Sequence, residues 1–203
     1  MAKPEIETKL PISDLAAFES RLRELGFHID TPRTFEHNTL YDTPSRDLRV
    51  RTEILRIRRY GDTWTVTHKR LADPAIDADP TRYKTRIETE TTAADGEALG
   101  DIFIHLGYVP AFTYEKYRTE WSHPDESSAH LVVDETPIGT YAELEGLPAW
   151  IDRTVTQLGI DPAACTTDSY GKLFLDWKER TGSPADNLTF AEIAPALASH
   201  GGL

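Results

Sequence analysis

In an extended strand, side chains alternate between two faces, so the opening stretch Pro4-Glu5-Ile6-Glu7-Thr8-Lys9-Leu10 places Glu5, Glu7 and Lys9 together. Two carboxylates about 7 Å apart repel each other, and one lysine cannot neutralise both, so this face needs further cations. Later stretches supply them at the same period of two. Arg56 and Arg58 share a face in 53–60, and Lys69 closes 63–70 on the face of Thr65 and Thr67. Lys84, Arg86, Glu88 and Glu90 follow one another on one face of 83–92. In 109–121, Lys116, Arg118 and Glu120 align with Tyr114, and the pair 130–135 and 140–145 presents Asp134, Glu143 and Glu145.

This set of residue types has a chemistry. Guanidinium forks bind phosphate oxygens bidentately and lysines add point charges, so the cations suit an anion with several phosphates. The carboxylates would repel that anion unless they hold Mg2+ or Mn2+, hard cations carried by a few carboxylates together with substrate phosphates and water. Both sets in one place describe a site for a metal–triphosphate complex. Lys9, crowded by other cations, is read either as a base with a lowered pKa or as a phosphate contact.

The elements must bring these faces together. Apolar positions fall opposite the charged ones, which fits an ordinary sandwich with solvated charges or a barrel with charges inside and helices outside. Eight cations, Lys9, Arg56, Arg58, Lys69, Arg86, Lys116, Arg118 and Lys172, face seven anions, Glu5, Glu7, Glu88, Glu90, Asp134, Glu143 and Glu145. The chain as a whole carries −12, so its acidic excess lies outside this set, which favours the barrel. The expected fold is α+β, an eight-stranded antiparallel closed β-barrel with helices packed outside. Ser13 reads as the N-cap of a first helix carrying Leu15, Phe18, Leu22 and Leu25, stopped by Gly26. Further helices are expected over 95–106, 148–158 and 169–180, and a polar loop around Pro44 and Asp47. Residues 1–181 are read as the tunnel domain. Residues 182–203 are a linker and a C-terminal helix packing on it, with capping-box spacing at Thr189 and Glu192 and a kink at Pro195.

Composition bounds the rest. With 203 residues, 39% hydrophobic and 28% charged, the chain fits one folded domain. A charge of −12 disfavours nucleic acid and anionic membranes as partners, and no apolar run is long enough to span a bilayer, so a cytoplasmic location is expected. Cys165 is the only cysteine and is read as a buried thiol. Gly171-Lys172 lacks the preceding glycine of a phosphate-binding loop, having Thr166 in its place, and neither G-x-S-x-G nor H-E-x-x-H occurs.

With these residues in hand, the chain resembles the CYTH superfamily, the triphosphate tunnel metalloenzymes. The resemblance rests on Glu5-x-Glu7-x-Lys9, Tyr41-Asp42-Thr43, Leu55-Arg56-Ile57-Arg58, Lys69, Arg86-x-Glu88-x-Glu90, Lys116-x-Arg118, Asp134-Glu135 and Glu143-Leu144-Glu145, over residues 4–175. It implies an eight-stranded tunnel that binds a triphosphate inside, with Mg2+ or Mn2+ held by glutamates. Arg56, Arg58, Lys69, Arg86, Lys116 and Arg118 would grip the phosphate chain. Glu5, Glu7, Glu143 and Glu145 would hold metal, with Glu88, Glu90 and Asp134 as further ligands or orienters. Lys172, on an expected helix, would add to the phosphate contacts. Members include class IV adenylate cyclases, thiamine triphosphatases and inorganic triphosphatases. Leu40 and Ile54 stand where thiamine triphosphatases carry aromatic residues, so tripolyphosphate, ATP or another nucleoside triphosphate is favoured over thiamine triphosphate. A hydrolase, a cyclase making cyclic AMP and a non-catalytic polyphosphate-binding module stay open, as monomer or homodimer.

Overall fold

A computed structural model describes residues 4–72 and 81–194. The eight expected strands are β1 (Pro4–Ile12), β2 (His28–Asp42), β3 (Ile54–Tyr60), β4 (Thr63–Leu71), β5 (Lys84–Ala93), β6 (Val109–Ser122), β7 (His130–Thr136) and β8 (Gly139–Glu145). They close into an antiparallel barrel in the order β1-β5-β4-β3-β2-β6-β7-β8. β2 begins at His28 rather than near Thr34, and its early residues meet β6 through register shifts between Ile29 and Thr34. Pro32 lies in that interval and has no N–H to give the ladder, which is why the pairing breaks there.

Two seams of the barrel are short. Among the described residues β1 pairs with β5 from Pro4 to Glu7, and β6 pairs with β7 from Tyr117 to Trp121. Segments from the C-terminal part of the chain continue both. Lys9 and Thr166 exchange backbone hydrogen bonds of 2.9 and 2.7 Å beyond the first seam. Leu188 lies parallel to β6 beyond the second, donating to Thr113 and accepting from Glu115. Residues near 166 and 188 therefore complete the wall.

The apolar faces point outward under helices, as the amphipathic pattern requires. Helices α1 (Leu15–Glu24) and α4 (Pro148–Gln157) bury Phe18, Leu22, Ile151 and Val155 against Leu10, Leu131, Val133 and Leu144. Each such side chain contributes about 1.5–3 kcal/mol when fully buried. Helix α3 (Gly96–His105) lies so close to the barrel that a Cβ at Gly96 would sit 2.1 Å from Trp64 Cε3. Helix α5 (Tyr170–Thr181) packs Phe174 and Trp177 against Leu188, Ile193, Phe112 and Tyr141.

Several local expectations change. The α1 cap is Asp14, not Ser13, because its carboxylate accepts from Ala17 N at 2.9 Å. The polar loop after β2 contains a one-turn helix, α2 (Asp47–Val50), which the Asp42 carboxylate anchors by accepting from Leu48 N and Arg49 N at 2.9 and 3.1 Å. Cys165 is half-buried rather than buried, and burial pushes its thiol up. Thr189 caps the turn that follows it, accepting from Glu192 N at 3.3 Å. The expected kink at Pro195 lies outside the described residues. Among the described residues no helix is long and apolar enough to cross a membrane.

Candidate active site

The barrel interior is a cavity of about 570 Å3 lined by charged side chains. It brings together Glu5, Glu7, Lys9, Arg56, Arg58, Lys69, Glu88, Glu90, Lys116, Arg118, Glu143 and Glu145. The strand period places them there, since each is two residues from its neighbour on the same face. Their contacts divide the interior into two walls of different character.

One wall is tightly compensated. Lys9 Nζ lies 2.6 Å from Glu143 Oε1, and Arg118 forks onto Asp134 at 2.7 and 2.6 Å while reaching Glu143 at 2.7 Å. Lys116 Nζ stands 2.8 Å from Asp134 and 3.3 Å from Glu36. Glu36 and Asp134 are fully buried. Burial alone would push the Glu36 carboxyl up, but Lys116, Arg118 and the β3 arginines outweigh it and hold it at about 2. Burial likewise opposes the charge of Glu143, and Lys9, Lys116 and Arg118 hold its carboxyl well below the usual range.

Lys9 reverses one expectation. Burial would lower its pKa, but Glu143, Glu7 and Asp134 outweigh burial and raise it. That direction favours the phosphate-contact reading of Lys9 over a base with a lowered pKa.

The other wall is looser. Arg56 donates to Tyr114 Oη and Thr67 Oγ1 at 3.2 Å each, and its closest carboxylates, Glu90 and Glu88, stand 3.6 and 3.8 Å away. Its Nε is buried without a hydrogen-bond partner. Arg58 lies 3.4 Å from Glu90, and Lys84 3.8 Å from Glu7. Only Lys69 is held closely, at 2.9 Å from Glu5 and 2.5 Å from Glu88. Burial, then contact with Glu5, push the Glu88 carboxyl up; burial, then Glu7, do the same to Glu145.

Glu7 and Glu145 face each other across the β1–β8 ladder, and Glu5 and Glu88 share Lys69, so four hard oxygen donors of the kind that hold Mg2+ or Mn2+ line this wall. Among the described residues no three such groups already enclose a metal position.

Three expected members stand elsewhere. Lys172 lies on the exposed side of α5 and pairs with Asp176 one turn on, because the helical phase that turns Tyr170 and Phe174 inward turns Lys172 out. Arg86, the cross-strand partner of Glu5, turns its guanidinium to the Thr52 carbonyl and donates to it at 2.8 Å. Asp134 is closed off from the cavity by Lys116, Arg118 and the Tyr170 hydroxyl, so it orients cations instead of offering a free ligand oxygen. Sequence reasoning set Lys84 and Glu120 on the charged faces without taking them into the site, and it missed Glu36 and Tyr170. Lys84 had a signal, its place two residues before Arg86 on the charged face, and burial lowers its pKa. Glu36 had the weaker one of sharing a face with Asn38.

Solved structures with this architecture include a candidate adenylate cyclase from Vibrio parahaemolyticus, with TM-score 0.70 and 16% identity over 86% of this chain and 99% of that one. A Pyrococcus horikoshii protein matches at TM-score 0.69 and 23% identity, over 85% and 99%. A candidate adenylyl cyclase from Hippeastrum, described as having a dominant triphosphatase activity, matches at TM-score 0.59 and 18% identity, over 87% and 96%. At these identities the likeness is one of fold. In sequence, a Methanocaldococcus jannaschii protein named as a candidate adenylate cyclase is 30% identical over 141 residues, which are 70% of this chain and 75% of that protein. The CYTH domain model matches residues 3–147, most of the barrel and the larger part of the sequence, and the chain therefore belongs to the CYTH domain family.

Proposed function

We propose that this chain is a divalent-metal-dependent hydrolase that binds a triphosphate in its tunnel and cleaves a phosphoanhydride bond. The observation that supports the reading is the looser wall, where Glu5, Glu7, Glu88 and Glu145 crowd together beside Arg56, whose Nε has a donor to spare. Arg56, Arg58, Lys69 and Lys84 would bind phosphate oxygens from one side, with Lys9, Lys116 and Arg118 from the other. Glu5, Glu7, Glu88 and Glu145 would hold Mg2+ or Mn2+, with Glu90 and Glu143 orienting the neighbouring cations. A divalent cation there supplies Lewis-acid polarisation of phosphoryl oxygens. The residues themselves fix the phosphates in line and neutralise charge as the bond to the leaving group lengthens, which is most of what phosphoryl transfer requires. The tunnel wall keeps bulk water from competing for these contacts.

A second reading, an adenylate cyclase, has its own support. Leu40, Ile54 and Phe112 form an apolar part of the cavity beside Arg56, which gives a nucleoside somewhere to lie. The Methanocaldococcus jannaschii protein carries that name, and the Hippeastrum protein joins it to triphosphatase activity.

The deciding experiment incubates the protein with tripolyphosphate, ATP and thiamine triphosphate, each with Mg2+ or Mn2+, and follows phosphate release and nucleotide products by chromatography. Phosphate from tripolyphosphate or ATP supports the hydrolase. Cyclic AMP from ATP supports the cyclase. Tight binding with no turnover of any of the three leaves a polyphosphate-binding module.

A further inference from the structure

The family match ends at residue 147, but the tunnel does not. Tyr170, the first residue of α5, lines the cavity and is only 7% exposed. Three charged groups converge on this phenol. Its hydroxyl donates to Asp134 Oδ2 at 2.6 Å, and the ammonium groups of Lys9 and Lys116 lie 4.6 and 5.0 Å from its ring centroid. Tyr114 and Tyr141 pack around the ring at 6.0 and 5.9 Å. The backbone leading to it is tied down by the Lys9–Thr166 pair and by Ser169, which caps α5.

Each contact has a physical consequence. Lys9 and Lys116 repel each other, and each is held on one side by a carboxylate, Glu143 at 2.6 Å and Asp134 at 2.8 Å. The face of an aromatic ring attracts an ammonium without carrying a formal charge, so it directs both groups while leaving their charge available to an anion. The hydroxyl donates to the Asp134 oxygen that also accepts from Lys116, while Tyr114 and Tyr141 hold the ring itself in place.

We infer that Tyr170 is a positioning residue, holding the Lys9 and Lys116 ammonium groups in the orientation in which they meet substrate phosphates. A segment outside the matched domain thereby completes the site. The inference rests on the reading of the tunnel as a triphosphate site.

The test measures binding of tripolyphosphate with Mg2+ to the full chain by calorimetry, alongside thermal melting. Tyr170→Phe keeps the ring and should bind within about twofold of wild type, whereas Tyr170→Leu should bind about tenfold more weakly. In a Lys9→Met background the leucine substitution should cost at most about threefold, because one of its two ammonium partners is already gone. Trp177→Leu, in the same apolar cluster but away from the cavity, should lower the melting temperature and leave affinity unchanged. If the leucine variant does not fold, Tyr170→Met carries the same expectation. Wild-type affinity in the leucine or methionine variant, equal losses in the phenylalanine and leucine variants, or full additivity with Lys9→Met overturns the inference. A wild-type chain that does not bind tripolyphosphate overturns the tunnel reading instead.

Discussion

Glu7 and Glu145 are direct cross-strand partners on the β1–β8 ladder, both turned into the tunnel. Like charges in that position are destabilising by up to about 1 kcal/mol. Burial, then Glu7, push the Glu145 carboxyl up. A carboxyl raised above its unfolded value favours the fold while protonated, and that contribution is lost as the pH rises through the folded-state pKa. Without divalent cation, Glu145→Gln should therefore melt about 2–4 °C above wild type at pH 8, with the difference vanishing near pH 4. Adding Mg2+ should raise the wild-type melting temperature and move the variant's less. Calorimetric melting with and without the cation checks both, and a variant no more stable than wild type would remove the repulsion argument.

Glu36 behaves oppositely. Held at about 2, its carboxylate stabilises the fold above the unfolded value and loses that contribution as the pH falls toward 2. Removing one partner of a buried ion pair costs about 3 kcal/mol, so Glu36→Gln should lose roughly that much at neutral pH. The gap to wild type should close as the pH falls from about 4.5 to about 2. Urea unfolding at a series of pH values reads it directly.

Arg56 combines a buried, unpartnered Nε with contacts of 3.2 Å or longer to its hydrogen-bond partners. A lysine there keeps the charge and loses the fork. Arg56→Lys should weaken tripolyphosphate binding about ten- to a hundredfold in titration calorimetry, in line with about 1.5–3 kcal/mol for a charge-assisted hydrogen bond. An affinity equal to wild type would take Arg56 out of the phosphate contacts.

Lys172 gives the complementary expectation. Exposed and paired along its own helix, it should be replaceable by alanine with turnover within about twofold and an unchanged melting temperature. A larger loss of turnover would mean that the lysine swings into the tunnel when substrate binds.

The barrel was legible because each strand states its two faces. Lys9 points in and Leu10 out, Arg56 in and Ile57 out, and this period of two survives any uncertainty about register. What sits beside what was not legible. The pairing of Glu36 with Lys116 across β2 and β6 depends on a register interrupted near Pro32, and without it Glu36 is one more acid in an acidic chain. The direction of the Lys9 shift likewise depends on Glu143 lying 2.6 Å away on a strand 134 residues along the chain. Lys172 was misplaced for the opposite reason, since helical phase was open to calculation from Tyr170 and Phe174. Tyr170 itself reads as a packing aromatic at the start of a helix until the charges around it are seen.

The two short seams bear on the order in which the chain is made. β1 leaves the ribosome before the other strands, yet among the described residues its edge beyond Glu7 is continued by Thr166, synthesised much later, and the open edge of β6 waits for Leu188. Unpaired strand edges invite pairing with other chains. The nascent barrel therefore carries two such edges until nearly all of the described chain has been translated, and a product stopped at residue 147 should aggregate during synthesis where the full chain remains dispersed.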